Sequence, residues 1–399
     1  MYFRRVRITV VGAGIFGVTA ALELARRAHA VRLVDAGPIP HPLAASTDVS
    51  KVVRLEYGAD EDYLSMMEEA LDGWRRWNRD LGGELFHESG VLFLRRTPLA
   101  PGTFEGNSFA QLVRRGHAPE ELDAEAVAAR FPAWRAGAYP HGFFHARGGW
   151  VESGRVVARL AAEARARGVE IHEGRRCTRL VDDGARVAGV ELDGGERLDA
   201  EGVIVAAGSW THHLLPWLAP HLRSNGMPVF HLRPADPEPF RAERFPVFGA
   251  DITATGYYGF PLHPTEGVVK IANHGVGRAM SAAAMEPNAP ERTVTGEETA
   301  RLRAFLAETF PALVAAPIVH TRVCVYSDTW DGHFWIAADP ARPGLVVAAG
   351  GSGHAYKFAP LLGGLIADAA DGAESPRLAK FRWRPEVRPV RTEEEARHS

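Results

Sequence analysis

The chain has 399 residues, 46% of them hydrophobic and 24% charged, with a formal net charge of -3. That length allows two domains or one large one with a substantial core. The near-neutral balance removes the electrostatic case for nucleic acid or an anionic membrane as partner. Two cysteines, Cys177 and Cys324, are too few for a disulfide framework. Residues 1–7 run directly into a strand and read as neither a signal peptide nor a spanning helix; the scarcity of cysteine makes a reducing cytoplasm the expected location.

Residues 7–11 read as a short buried strand. Gly12-Ala13-Gly14-Ile15-Phe16-Gly17 follows, then a helix with Val18, Leu22 and Ala25 on one face. A second apolar strand, 30–34, ends at Asp35. These are all the parts of a dinucleotide fingerprint. Gly12 serves the tight turn, Gly14 lets a pyrophosphate approach the backbone, Gly17 lets helix and strand pack, and Asp35 can accept from ribose hydroxyls. A flavoprotein reduced by a nicotinamide cofactor often carries a second fingerprint. The nearest candidate, Gly275-Val276-Gly277-Arg278-Ala279-Met280, lacks the third glycine. One dinucleotide is expected, NAD or FAD.

Farther along, residues 154–167 read as a helix that Ser153 could cap and Gly168 could end. Buried strands at 199–207 and 344–349 run into Gly208-Ser209-Trp210-Thr211 and Gly350-Gly351-Ser352-Gly353, the second followed by a helix over 361–370. These glycine endings are either plain strand-to-helix turns or returns of the chain to the nucleotide. Contact from three distant stretches suits FAD, which is longer than one Rossmann unit covers. Segments 90–94, 229–233, 257–262, 268–272 and 321–326 are rich in β-branched and aromatic residues and read as strands. The expected fold is α/β. A Rossmann-like FAD-binding domain (1–85, 150–222 and 327–383) carries an inserted, mainly antiparallel β-sheet substrate domain (86–149 and 223–326). Residues 384–399 form a charged, loose tail, and segments 103–117 and 265–287 read as loops suited to a lid.

Of 46 Lys and Arg residues only four are lysines: Lys51, Lys270, Lys357 and Lys380. Lysine is a compact charge whose pKa moves with burial, whereas arginine is a planar, permanently charged fork. Lysines kept in so arginine-rich a chain mark places where a guanidinium does not serve. Three lie in segments that look chemical: residues 48–54, 268–274 and 350–357. Lys380 lies in a basic C-terminal stretch without such context.

On these motifs the chain resembles the D-amino-acid-oxidase superfamily of FAD enzymes over residues 7–372, in the branch of monomeric sarcosine oxidase, pipecolate oxidase and fructosyl amino acid oxidase. The resemblance rests on the N-terminal fingerprint, segment 48–63, Tyr257-Tyr258-Gly259-Phe260-Pro261, Lys270 with His274, Cys324-Val325-Tyr326, and Gly351-Ser352-Gly353-His354-Ala355-Tyr356-Lys357. It implies an FAD-dependent oxidase that converts the C–N bond of an N-substituted amino acid to an imine and O2 to H2O2. A dehydrogenase using another acceptor, or an oxidase of a cyclic imino acid or saccharopine-like conjugate, stays open as an alternative. The resemblance also favours a monomer.

It assigns the substrate carboxylate to Arg54 and Lys357, a fork plus a point charge able to offset burial of an anion. It assigns catalytic roles to Lys270, for oxygen activation, to His274, as an active-site polar group, and to Lys51, and pocket lining to Tyr258 and Tyr326. A thioether from Cys324 to the flavin is implied by the tyrosine two residues on. Cofactor contacts are implied for the fingerprint residues with Ile15 and Phe16, and for Asp35, Ser46, Lys51, Gly208, Trp210, His354, Lys357 and the turn of Gly350, Gly351 and Gly353. That turn and the helix after it would offset charge on the reduced flavin. Lys51 stands where sarcosine oxidases carry arginine and fructosyl amine oxidases lysine, which favours a substrate bulkier than sarcosine. Cys177 matches no motif.

Overall fold

The computed structural model describes residues 5–386. A six-stranded sheet runs in the order Trp335–Ala338, Leu345–Ala349, Gly202–Val205, Arg7–Val11, Ala30–Val34, Glu170–His172. All of its pairings are parallel except that of the edge strand Trp335–Ala338. Its strands are apolar because helices Ile15–Arg26, Ser153–Ala166 and Ala359–Asp371 pack over one face. A three-stranded sheet of 177–199 covers the other with Val187, Val190 and Leu192.

A nine-stranded sheet forms the second layer, built around Leu222–Leu232, which pairs with Val269–Asn273 on one side and Ile318–Thr329 on the other. Only Val247–Ala250 against Val91–Arg95 is parallel. Period-two alternation divides this sheet between two cores. Val91, Phe93 and Val247 point toward the nucleotide layer, while Leu92, Leu94 and Phe248 pack with Phe305 and Phe310 beyond the sheet.

Several expectations need correction. The strands expected at 229–233 and 321–326 are parts of longer ones, Leu222–Leu232 and Ile318–Thr329. Ser153 does not cap its helix; its hydroxyl donates to the Asp48 carbonyl at 2.8 Å and ties that helix to the segment before Lys51. Residues 103–117 are not a loop, because Thr103 caps an α-helix, Phe104–Arg114, that buries Glu105, Ser108 and Leu112 at helical spacing. Segment 265–287 contains the strand Val269–Asn273 and a 3-10 turn, Ala283–Met285. A 3-10 turn, Ala355–Phe358, that holds Lys357 separates Gly353 from the helix, which runs Ala359–Asp371 rather than 361–370. The tail does not begin at residue 384: Arg384 is buried and its guanidinium grips both oxygens of Asp331 at 2.6 and 2.8 Å. The remainder of the expected tail, 387–399, lies outside the described residues.

Candidate active site

A cavity of about 590 Å³ lies between the two sheets, within the range of small-molecule sites. One end is the glycine turn. Gly12 has φ +98, and a Cβ there would stand 2.6 Å from the Ala206 carbonyl oxygen. A Cβ on Gly17 would run into the Gly12 carbonyl, so Gly17 serves helix–turn packing and does not face the cavity. Gly14, Ile15 and Phe16 do face it. Ser46 also lines the cavity and holds the turn, accepting from the Ile15 N–H at 2.9 Å. Asp35 accepts from the Ala13 N–H at 2.7 Å and the Gly37 N–H at 3.0 Å. Burial pushes its carboxyl above the ordinary value despite those donors.

Gly208, Trp210, Gly350, Gly351, Gly353 and His354 line the same cavity, bringing all three expected stretches together. Cys177, assigned nothing from the sequence, also lines it, with Arg175, Arg176 and Thr178. Its neighbours face the cavity because strand Cys177–Asp182 follows a turn in which the Arg175 N–H donates to the Asp35 carbonyl. No sequence motif announced this.

At the other end, Arg54 and Lys357 meet on one aromatic ring. The Arg54 Cζ lies 5.1 Å and the Lys357 Nζ 4.7 Å from the centre of Tyr57. Lys357 is buried and donates to the Tyr57 hydroxyl at 2.9 Å. The same hydroxyl lies 3.0 Å from His354 Nδ1, whose ring reaches the Gly332 carbonyl through Nε2 at 2.9 Å. Tyr57 was missed, although it lies three residues after Arg54. Glu56, two residues after Arg54, meets His145 at 3.1 Å, and Asp48 meets Lys270 at 2.8 Å.

Tyr258, His274 and Tyr326 also line the cavity. Gly353, φ +74, packs against them: a Cβ there would lie 2.5 Å from the Tyr326 ring and 2.9 Å from His274. One stretch of the wall is apolar, with Val91, Phe93, Val247, Ile252 and Phe260. Gly249 matters here, since a side chain in its place would stand 2.7 Å from the Phe93 ring and displace it.

Lys270 and Cys324 stand behind the wall rather than in it. Lys270 is 2% exposed, on the strand Val269–Asn273 that ends one residue before His274. Its ammonium lies 2.8 Å from Asp48 Oδ2, donates to the Ser50 carbonyl at 2.5 Å, and is 4.7 Å from the centre of the cavity-lining Phe260. Burial lowers its pKa to about 8, with Asp48 opposing that fall. Cys324 is buried with Met227, Val229 and Tyr326, and Ala45 packs on that cluster. Lys51 does line the cavity, next to both Asp48 and Lys270 in charge interactions.

Residues 7–369 match the family model described as FAD dependent oxidoreductase, DAO. The chain belongs to that family. The FAD-dependent oxidoreductase is 28% identical to N-methyl-L-tryptophan oxidase of Salmonella arizonae, over 94% of this chain and 97% of the relative. It is 25% identical to L-saccharopine oxidase of Schizosaccharomyces pombe, over 94% and 93%. Among solved structures it resembles fructosyl amine:oxygen oxidoreductase (Amadoriase I) of Aspergillus fumigatus at TM-score 0.80 and 26% identity, covering 99% of this chain and 94% of that one. Its cofactor is FAD. The cradle fits the group: a side chain at Gly12 would collide with the Ala206 carbonyl that borders the cavity, and Gly14, Ile15 and Phe16, where the helix Ile15–Arg26 begins, line the same space. Among the described residues no helix is long and apolar enough to cross a membrane.

Proposed function

We propose that this oxidoreductase acts on an N-substituted α-amino acid, oxidising a C–N bond to an imine with O2 as acceptor and H2O2 as product. Two cations converging on Tyr57 carry the reading: the Arg54 fork and the Lys357 point charge make a site for one carboxylate inside a largely apolar cavity. FAD, when bound, supplies the two-electron chemistry; the chain supplies position and field. Arg54 and Lys357 hold the carboxylate, Tyr258 and Tyr326 pack on the substrate, and His274 offers a polar contact between them. Gly12, Gly14, Ile15, Phe16, Asp35, Gly208, Trp210, Gly350, Gly351, Gly353 and His354 would hold the cofactor, with Gly17 and Ser46 supporting the turn. Lys270 and Lys51 supply positive charge for the oxygen step, and Cys324 is the proposed covalent attachment point. The sarcosine and N-methyltryptophan oxidases among the relatives support amine donors.

The wall of Val91, Phe93, Val247, Ile252 and Phe260 favours an apolar substituent larger than sarcosine's hydrogen. Lys51 in the cavity supports, as a second reading, a polar N-substituent of the fructosyl kind. A panel of N-methyl aromatic amino acids, sarcosine, fructosyl amino acids and saccharopine, scored by anaerobic bleaching of the yellow enzyme, decides between them. N-methyl aromatic substrates should bleach it fastest. No bleaching by any member would sink the amine reading, and absence of peroxide under air would replace the oxidase with a dehydrogenase. We assign 1–85, 150–222 and 327–383 to the FAD-binding part and 86–149 with 223–326 to the substrate part. Two free cysteines support a reducing cytoplasm as its place of work, and the resemblance to monomeric relatives supports a monomer.

A further inference from the structure

Three ionisable residues stand side by side across the large sheet. His231 on the central strand is directly opposite Lys270 on one neighbour and His320 on the other. Asp48, from the loop before Lys51, caps the row: one carboxylate oxygen meets the Lys270 ammonium at 2.8 Å, the other the His231 Nε2 at 3.1 Å. Side-chain exposures of 2% for Lys270 and 1% for Asp48 exclude solvent from the pair. His231 is also buried, and its ring lies 5.0 Å from that of exposed His320.

Burial at this depth opposes an ammonium, and a lone buried lysine sheds its proton. A neutral amine exerts no useful field on developing negative charge, so a lysine serving O2 from behind Phe260 needs a counter-charge to exist as a cation. The other titratable or charged groups facing Asp48 are Lys51 from its own segment and Arg322 from the edge strand; Lys51 and the Cys324 thiol face Lys270; Asp48 and Arg322 face His320. Arg322 donates to the Ala44 carbonyl at 3.0 Å and to that of Thr47, which fixes the loop bearing Asp48. Asp48 is thus the one carboxylate among these groups.

We propose that Asp48 and His231 are positioning residues of the oxygen step, Asp48 holding Lys270 in place as a cation behind the cavity wall and His231 fixing the second oxygen of that carboxylate. This rests on the reading that Lys270 serves O2, and it concerns residues outside the cavity lining.

The test follows the two half-reactions of the holoenzyme by rapid mixing, across neutral and alkaline pH, with thermal midpoints recorded in parallel. Asp48→Asn should move the alkaline decline of the reoxidation rate to lower pH by about 1–3 units, while anaerobic reduction by substrate stays within about twofold. His231→Leu should shift the same limb less, and Asp48→Glu should restore it in part. The thermal midpoint should fall in Asp48→Asn and recover in part when Lys270→Met is added, because the second change removes the stranded charge. An unmoved reoxidation limb in folded Asp48→Asn would overturn the proposal. Should Asp48→Asn fail to fold, the limb in His231→Leu decides in the same way. Lys270→Met separates the two levels: if it leaves reoxidation at the parent rate, the oxygen role of Lys270 fails; if it slows reoxidation while Asp48→Asn and His231→Leu do not, only the positioning role fails.

Discussion

The Lys357 ammonium and the Tyr57 hydroxyl are joined by a 2.9 Å hydrogen bond across 300 residues of sequence. The bond fixes where the lysine's charge sits, and the Tyr57 ring also carries Arg54 on its face. A hydrogen bond to a charged group contributes about 1.5–3 kcal/mol. Tyr57→Phe keeps the ring and removes only that bond. Steady-state kinetics should give a KM raised by about tenfold or more with kcat less affected, and equal losses in both would argue against a binding role.

Gly353 meets Tyr326 and His274 without room for a methyl group, and its φ of +74 disfavours any side chain. Gly353→Ala should therefore displace the Tyr326 ring and strain the turn, a backbone cost of about 1–3 kcal/mol. Substrate-driven bleaching should slow by about tenfold or more while the protein still binds FAD. Cofactor content from absorbance and single-turnover rates check both halves of the statement.

Lys270 gives a pH dependence with a definite sign. Its folded pKa is about 8, lowered by burial, against about 10.4 unfolded. Between those values the unfolded chain binds the extra proton, so this group's contribution makes the fold more stable as pH rises through the window. Over the same rise the ammonium is lost and reoxidation by O2 should slow. In Lys270→Met both alkaline effects should vanish, a result read from thermal midpoints and reoxidation rates over the same pH series.

Arg384 and Asp331 form a two-point pair with side chains only 3% and 8% exposed. Burial raises the Asp331 carboxyl, and the Arg384 fork more than reverses this, leaving it below the ordinary value. Removing one partner of such a pair strands the other charge and costs about 3–5 kcal/mol. Arg384→Ala should lower the thermal midpoint markedly, whereas Arg75→Ala, at a half-exposed pair with Glu88, should shift it little. Equal midpoints for the two variants would refute this account of the C-terminal segment.

What the sequence determined by itself was whatever depends on short spacing. The glycine turn with Asp35 specified a nucleotide site because glycine freedom and strand–helix alternation act within about 30 residues. The apolar runs at 90–94 and 268–272 specified strands because side-chain alternation is local, and the scarce lysines flagged three chemical segments. Tertiary structure decided which groups share a space. Tyr57 between Lys357 and His354, Asp48 between Lys270 and His231, Cys177 in the cavity wall and Arg384 on Asp331 are pairings between distant stretches of chain. Their energies come from burial and desolvation, which exist only once the two sheets have closed on each other.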